Sequence, residues 1–317
     1  ELQIYRNITI LQVANVILLT ETLNSWRNML NYSKTTVFLL ILLAISCTPK
    51  KKEAKIEKNK SLFEKGFVVA TIKGKTIEES SGLVTSSISP GMFWTHNDSG
   101  ADAELFLIDQ EGNIHLKVFL SGAQSIDWED IARHGTDLYI ADMGDNDAKR
   151  EYITIYKIKE PQWDSLQAQL TLDSFEQMSL QYAEGPRDAE SLLFDHRTEE
   201  LIIVTKREKN CHIYAFPFEP NIDPINITSK GTLPATLFTA GDIHPSTGEI
   251  LLKNYKKIYY WGTSEKPAVL RIAEGPDYTL PYKEEPQGEA IAWTDEGFVT
   301  LSERNDKKQK FYFYGRK

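Results

Sequence analysis

Cysteine is nearly missing from this 317-residue chain, occurring only as Cys47 and Cys211. No disulfide framework and no Cys-x-x-Cys motif is available, so stability has to come from a buried core. Signatures of nucleophilic and nucleotide chemistry are absent too: there is no Gly-x-Ser-x-Gly elbow and no P-loop. No long stretch carries a 3.6-residue apolar period, which argues against a helical fold. Basic excess is also lacking, because 36 Lys and Arg face 45 Asp and Glu, for a net charge of −9. Residues 1–65 hold ten cations and five acids, so the remainder of the chain carries −14. An acidic body of this kind lacks the footprint of a nucleic-acid binder.

The apolar run Val37–Ile45 is too short to cross a bilayer but has the length of a secretory h-region. A polar stretch from Met29, with Lys34 as its one cation, precedes it, and Ala44-Ile45-Ser46 leads into Cys47. This layout resembles a bacterial lipoprotein signal. The expected organisation is a signal over 29–46 and a Lys- and Glu-rich solvated tether over 47–65. The folded domain then covers 66–317. Cys47 is the expected lipid anchor in the membrane, with the protein at the cell envelope, on its periplasmic or outer-membrane face. Residues 1–28 lie upstream of the first methionine and read as an extension outside the native protein.

From Gly66 onward the chain is rich in β-branched and aromatic runs separated by Gly, Pro, Asn and Asp turns. Expected strands include Phe67–Ile72, Leu83–Ser87, Leu201–Thr205, Ala268–Ile272 and Phe311–Tyr314. The segment Trp163–Leu180 reads as a helical or looped insertion. Five segments open on a carboxylate: Glu79-Ser-Ser-Gly, Glu129-Asp-Ile-Ala, Glu190-Ser-Leu-Leu, Asp242-Ile-His-Pro and Glu289-Ala-Ile-Ala. They recur at intervals of 50, 61, 52 and 47 residues. That period matches a four-stranded blade and predicts an all-β propeller. Five blades is the simplest count, with six if the long second interval hides a degenerate one. The last repeat has room for three strands, so Phe67–Ile72 is expected to complete it and close the ring.

Each carboxylate heads an innermost strand, and an antiparallel return puts the end of the second strand beside it. Those ends read His96-Asn97-Asp98, Asp142-Met143-Gly144-Asp145-Asn146, Lys206-Arg207, Lys253-Asn254-Tyr255 and Ser302-Glu303-Arg304. Five acids around one axis need a cation or protons to neutralise them, and oxygen donors suit Ca²⁺. The expected metal set is Glu79, Ser81, Glu129, Glu190, Asp242 and Glu289. Asn97, Asn146, Arg150, Lys206, Arg207, Lys253 and Arg304 are the candidates for holding a small anionic ligand or an envelope partner. His96, Asp98, Asp145 and Glu303 are candidate proton carriers. Asx turns account equally well for His96–Gly100 and for Gly144-Asp145-Asn146. Cys211 reads as a small apolar filler, and Trp94, Trp128, Trp261 and Trp293 as packing between blades. A monomer is expected.

The motifs Trp94-Thr-His-Asn-Asp-Ser-Gly, Asp127-Trp-Glu-Asp-Ile-Ala, Gly144-Asp-Asn, Asp188-Ala-Glu-Ser and Gln287-Gly-Glu-Ala-Ile-Ala resemble a group of uncharacterised bacterial secreted propeller proteins. Some of that group carry phytase-like or esterase-like labels. In layout alone the chain is also similar to the calcium-activated nucleotidases, five-bladed propellers with Ca²⁺ at the axis. That likeness implies Ser81, Glu129, Glu190 and Glu289 as matching positions, with Asp242 departing from the pattern. The resemblance carries over no assigned activity, and two readings compete on the residues: hydrolysis of a phosphate or similar anionic ester at a Ca²⁺ centre, and a non-catalytic propeller that binds a peptide, glycan or partner protein. A glycan-active enzyme is a third possibility, requiring two carboxylates across a sugar cleft.

Overall fold

The computed structural model describes residues 57–58, 62–304 and 309–317. Cys47 and the expected signal lie outside the described residues, and no helix among those residues is long and apolar enough to cross a membrane. The described chain opens with β1 (Glu57–Lys58) and β2 (Phe67–Thr71), both of which join sheets built from later sequence. Blade one is β3 (Ser80–Thr85), β4 (Met92–Asn97), β5 (Glu104–Asp109) and β6 (Ile114–Leu120). Blade two is β7 (Trp128–His134), β8 (Asp137–Asp142), β9 (Ile153–Lys159) and β11 (Glu176–Tyr182). Between its last two strands, β10 (Gln169–Leu172) leaves to pair in parallel with β6 of blade one.

Blade three is β12 (Ala189–Asp195), β13 (Glu200–Thr205), β14 (Cys211–Phe216) and β16 (Gly231–Leu233), while β15 (Ile225–Ile227) pairs in parallel with β11. Blade four is β17 (Phe238–Ile243), β18 (Ile250–Asn254), β19 (Ile258–Trp261) and β20 (Tyr278–Leu280), with β1 as a fifth, parallel strand. Blade five is β21 (Gly288–Thr294), β22 (Gly297–Ser302), β23 (Lys310–Gly315) and β2. Antiparallel pairing of β2 with β23 closes the ring as expected from the leftover strand. The inner strands pack in a circle: β3 on β7, then β12, β17, β21 and back to β3.

Two expectations are corrected. Trp163–Leu180 is neither helical nor a plain loop: it supplies β10 and most of β11, and the excursion of β10 to blade one lengthens the second interval without adding a blade. Ala268–Ile272 is not a strand but part of a helix, α1 (Ala268–Glu274). Pro267 fits the N-terminal end of a helix, Asp195 accepts the Ala268 N–H at 2.7 Å, and Ala268, Val269 and Ile272 bury one helical face. A short apolar run fits either period, and here the side chains of blade three decide it.

Five hydrophobic clusters fill the spaces between neighbouring blades. Trp94 and Trp128 lie in the cluster between blades one and two, Trp261 between three and four, and Trp293 between four and five. Cys211 is a fully buried filler. The core also takes in Phe63, which the sequence reading assigns to the tether. It is 1% exposed, packs on Tyr260, Trp293 and Phe298, and lies under the Arg316 guanidinium. Burial of one aromatic side chain moves the start of the domain upstream of Gly66.

At the axis, the inner edges of the sheets are tied together by side chains. The buried Asp130 carboxylate accepts the N–H groups of Ile131 and Leu192 at 2.9 Å and that of Gly241 at 3.3 Å, joining blades two, three and four. Asp242 accepts the Trp293 N–H at 2.8 Å, joining four and five. Asp130→Ala leaves three amides without an acceptor and should cost about 3 kcal/mol or more, read from urea unfolding. Phe63→Ala should cost about 3–5 kcal/mol in the same assay, whereas a tether residue would cost nothing measurable.

Candidate metal centre

The inner strand of every blade contains a register irregularity near its start, between Ser81 and Leu83, Trp128 and Asp130, Ala189 and Ser191, Phe238 and Ala240, and Gly288 and Ala290. A bulge inserts one unpaired residue and re-aims its side chain. The unpaired residues are Gly82, Glu129, Glu190, Thr239 and Glu289; Ser81 precedes the first of them, pairs with His96 and donates its hydroxyl to the Glu129 carbonyl at 2.5 Å. Blade one needs a glycine at this position, because Gly82 has φ +72° and a Cβ there would press on His96 and the Asp130 backbone.

A second repeated contact brings the ends of the second strands to this level. The N–H groups of Asp98, Met143, Lys206 and Glu303 donate to the carbonyls of Glu79, Asp127, Asp188 and Gln287 at 2.9–3.1 Å. In the shared register, Tyr255 is the fourth blade's equivalent of these donors. Glu79 therefore aligns with Asp127 and Asp188, whose carbonyls take the same contact, and not with Glu129. It is exposed at the edge of the group, where burial and the Asp98 charge raise its pKa. Asp242 is corrected likewise. It lies three residues beyond its blade's bulge position, Thr239, where burial pushes its pKa up to about 7 and its carboxylate holds the Trp293 amide.

Among the described residues, three carboxylate trios have oxygens within 4.8 Å of one another: Asp98, Asp127 and Glu129; Asp98, Glu289 and Glu303; and Glu129, Asp188 and Glu190. They share Asp98 and Glu129, so seven acids form one continuous group. Lys206 pairs with Glu190, and Arg207 with Asp188 at 2.5 Å. Tyr255 donates to Glu289 Oε1 at 2.5 Å, and Lys206 Nζ stands 5.5 Å over the Tyr255 ring. Lys253 is wholly buried, donates to the Gly288 carbonyl, and is lowered to about 8 by desolvation. Gly144 belongs beside this group because a Cβ there would collide with Glu129 and Asp127.

Other expected site residues are drawn into local structure. His96 is fully buried, its Nδ1 lies 2.9 Å from the Asn97 carbonyl, and desolvation lowers it to about 4, so it stays neutral. Asn97 holds the Glu78 and Glu79 amides through Oδ1. Asp145 accepts the Lys149 and Arg150 amides and closes a turn, and Asn146 accepts from Arg207. Arg150 binds the Asp142 carboxylate at 2.8 Å and the Gly144 carbonyl at 2.9 Å. Arg304 donates to the Gly74 carbonyl. The turn readings thus describe Asp145 and Asn97 well. Sequence reasoning left Asp127, Asp188 and Tyr255 out of the site. Its usable signal was the Asp-x-Glu doublet, present at Asp127-Trp-Glu129 and Asp188-Ala-Glu190, which sets two acids on one side of a strand.

Crowding controls protonation. Burial, the hydrogen bond to Glu289 and that residue's charge raise Glu303 to about 9. Burial and the neighbouring Asp127 raise Asp98 to about 7. Burial, then Asp98 and Asp127, push Glu129 well above the usual carboxylate range. The folded protein therefore retains protons that the unfolded chain releases between the ordinary carboxyl range and about pH 9, and stability falls as pH rises across that window. Melting temperature in chelator should drop by several degrees from about pH 5 to about pH 9, and millimolar Ca²⁺ should flatten the profile.

No protein-family model matches this chain, and no curated protein matches it. Among solved structures it is similar to the glutaminyl cyclase of Myxococcus xanthus, at 9% identity and a TM-score of 0.48, with 81% of this chain and 100% of that one covered.

Proposed function

We propose that the axial acids bind a divalent cation, Ca²⁺ by the chemistry of the donors, and that this centre serves hydrolysis of a phosphate ester or a similar anionic ester. The observation that carries the reading is Glu190 Oε2. It is buried and has no hydrogen-bond partner among the described residues, although Glu129 and Asp188 oxygens converge on the same carboxylate. An orphaned carboxylate oxygen among like charges is costly, and coordination relieves it. All-oxygen donors fit a hard cation, and carboxylates alone satisfy the flexible geometry of Ca²⁺. Glu129, Asp188 and Glu190 would hold it, with Asp98 and Asp127 as the second arm of the group.

A bound divalent ion supplies Lewis-acid polarisation of a phosphoryl oxygen. Glu303 carries a proton at neutral pH and sits beside Glu289, which suits it to protonate a leaving oxygen. Asp98, shared by two of the carboxylate trios, is placed to take a proton from water. Lys206 and Arg207, released from Glu190 and Asp188 as those acids turn to the cation, would meet the ester's negative charge. His96 holds the shape of the site through its ring on Trp128 and moves no proton. At the chain level, we propose a lipoprotein anchored through Cys47 at the cell envelope, on the strength of the signal-like segment before it.

A second reading, a binding module with a structural cation, is favoured by the engagement of Arg150 and Arg304 with backbone carbonyls. The two are separated by assaying nucleotides, phytate and aryl phosphates with and without chelator. Chelator-sensitive turnover supports the hydrolase, and a chelator-lowered melting temperature without turnover supports the module. Elemental analysis should find bound Ca²⁺ in the wild type and lose it in the Glu129→Gln, Glu190→Gln double variant. Retention of the ion in that variant would rule out these ligands.

A further inference from the structure

At the other end of the inner strands, away from the acids, a cavity of about 740 Å³ opens between blades one and five. Its size is that of a small-molecule site. Thr85, Arg133, His244 and Thr294, at or just past the ends of β3, β7, β17 and β21, contribute polar groups to its wall. Phe313 and Val299 contribute an apolar surface. Arg133 donates to the Gly135 carbonyl at 3.0 Å and reaches Thr85 Oγ1 only at 3.5 Å. It has no carboxylate within ion-pair distance among the described residues, although it is close enough to Asp242 to act on it through space.

Other donors at this cavity are also unmet. Arg133 Nε, Trp293 Nε1 and Thr294 Oγ1 are buried without a hydrogen-bond partner among the described residues, and Trp293 is only 2% exposed. His244 Nδ1 accepts the Ser246 and Thr247 amides, which leaves the proton of the neutral ring on Nε2 as a further donor. A cavity wall with a guanidinium that has no carboxylate beside it among the described residues, and with further donors to spare, calls for an acceptor-rich anion. The exposed acids Asp295 and Glu296 line the same cavity and disfavour a second negative charge on the occupant.

We propose that this cavity binds a monocarboxylate with an apolar body, its carboxylate at Arg133 and its apolar part against Phe313 and Val299. The source is either a free small acid or the C-terminus of a polypeptide. The site is independent of the axial acids.

The test is calorimetric titration of the full chain in Ca²⁺ buffer with N-acetyl-L-phenylalanine, its amide, and N-acetyl-Ala-Ala-Phe. Both acids should bind saturably, with the amide at least about tenfold weaker, as expected for loss of a charge-assisted bond. Arg133→Gln should weaken the acids by a similar factor, Arg133→Lys by less, and Glu129→Gln not at all. Tighter binding of the tripeptide assigns the site to a polypeptide end, and tighter binding of the small acid assigns it to a free metabolite-like ligand. Should Arg133→Gln fail to fold, Thr294→Val and the His244 ring resonances of the wild type report on the same cavity. Failure of both acids to saturate, equal binding of the amide, or undiminished binding to Arg133→Gln would overturn the proposal, as would acid binding that leaves His244 unmoved.

Discussion

The misfit of one residue between the first and second strands of each blade is the constraint on which the centre depends. A regular strand alternates its side chains between two faces, both of which are covered by neighbouring blades here. The bulge breaks that alternation next to the axis, so a side chain that would otherwise enter an apolar layer is turned toward the centre of the ring. In blades two to five it does this for Glu129, Glu190, Thr239 and Glu289, whereas in blade one the unpaired residue is Gly82, which has no side chain to turn. The returning strands add Asp98, Lys206, Tyr255 and Glu303 beside them. Charge that would be harmless on a rim is confined in a desolvated channel, and the protonation behaviour of the whole face follows from that confinement.

The ring is not electrostatically symmetric. Blades one, two, three and five bring carboxylates, whereas blade four brings Thr239, Lys253 and Tyr255. Lys253 is buried with the Tyr282 ring 5.3 Å from its ammonium and with Glu285, itself raised to about 7 by burial, as a close charge. Blade four therefore faces the acidic arc with a tyrosine hydroxyl held by Glu289 and with a buried cation. An ion held by blades two and three and a ligand approaching from blade four would meet across this divide.

Much of this was legible before any coordinates. The blade period, the ring closed by Phe67–Ile72 and the meeting of acids with second-strand ends all follow from turn spacing and antiparallel geometry. A bulge leaves no mark in composition, however, so alignment by period alone placed Asp242 where Thr239 stands and matched Glu79 with Glu129 when its counterpart is Asp127. The Asp-x-Glu doublets carried the missing register. Ala268–Ile272 was illegible for a different reason: a short apolar run does not choose between periods until a neighbouring Asp195 receives its first amide. Phe63 was hidden because a single aromatic in a Lys-rich stretch looks solvated until the chain's far end covers it.

The union of β2 with β23 has a consequence for how the molecule comes into being. Phe67, Val68 and Val69 must wait for a partner more than two hundred residues away, which only the final portion of the described chain supplies. During synthesis the first strand is an apolar, unsatisfied edge, and four blades can assemble while the fifth is still a gap. Closure then seats blade five against blade one, and with it Glu289 and Glu303 beside Asp98. The trio of Glu129, Asp188 and Glu190 lies within blades two and three and needs no such closure.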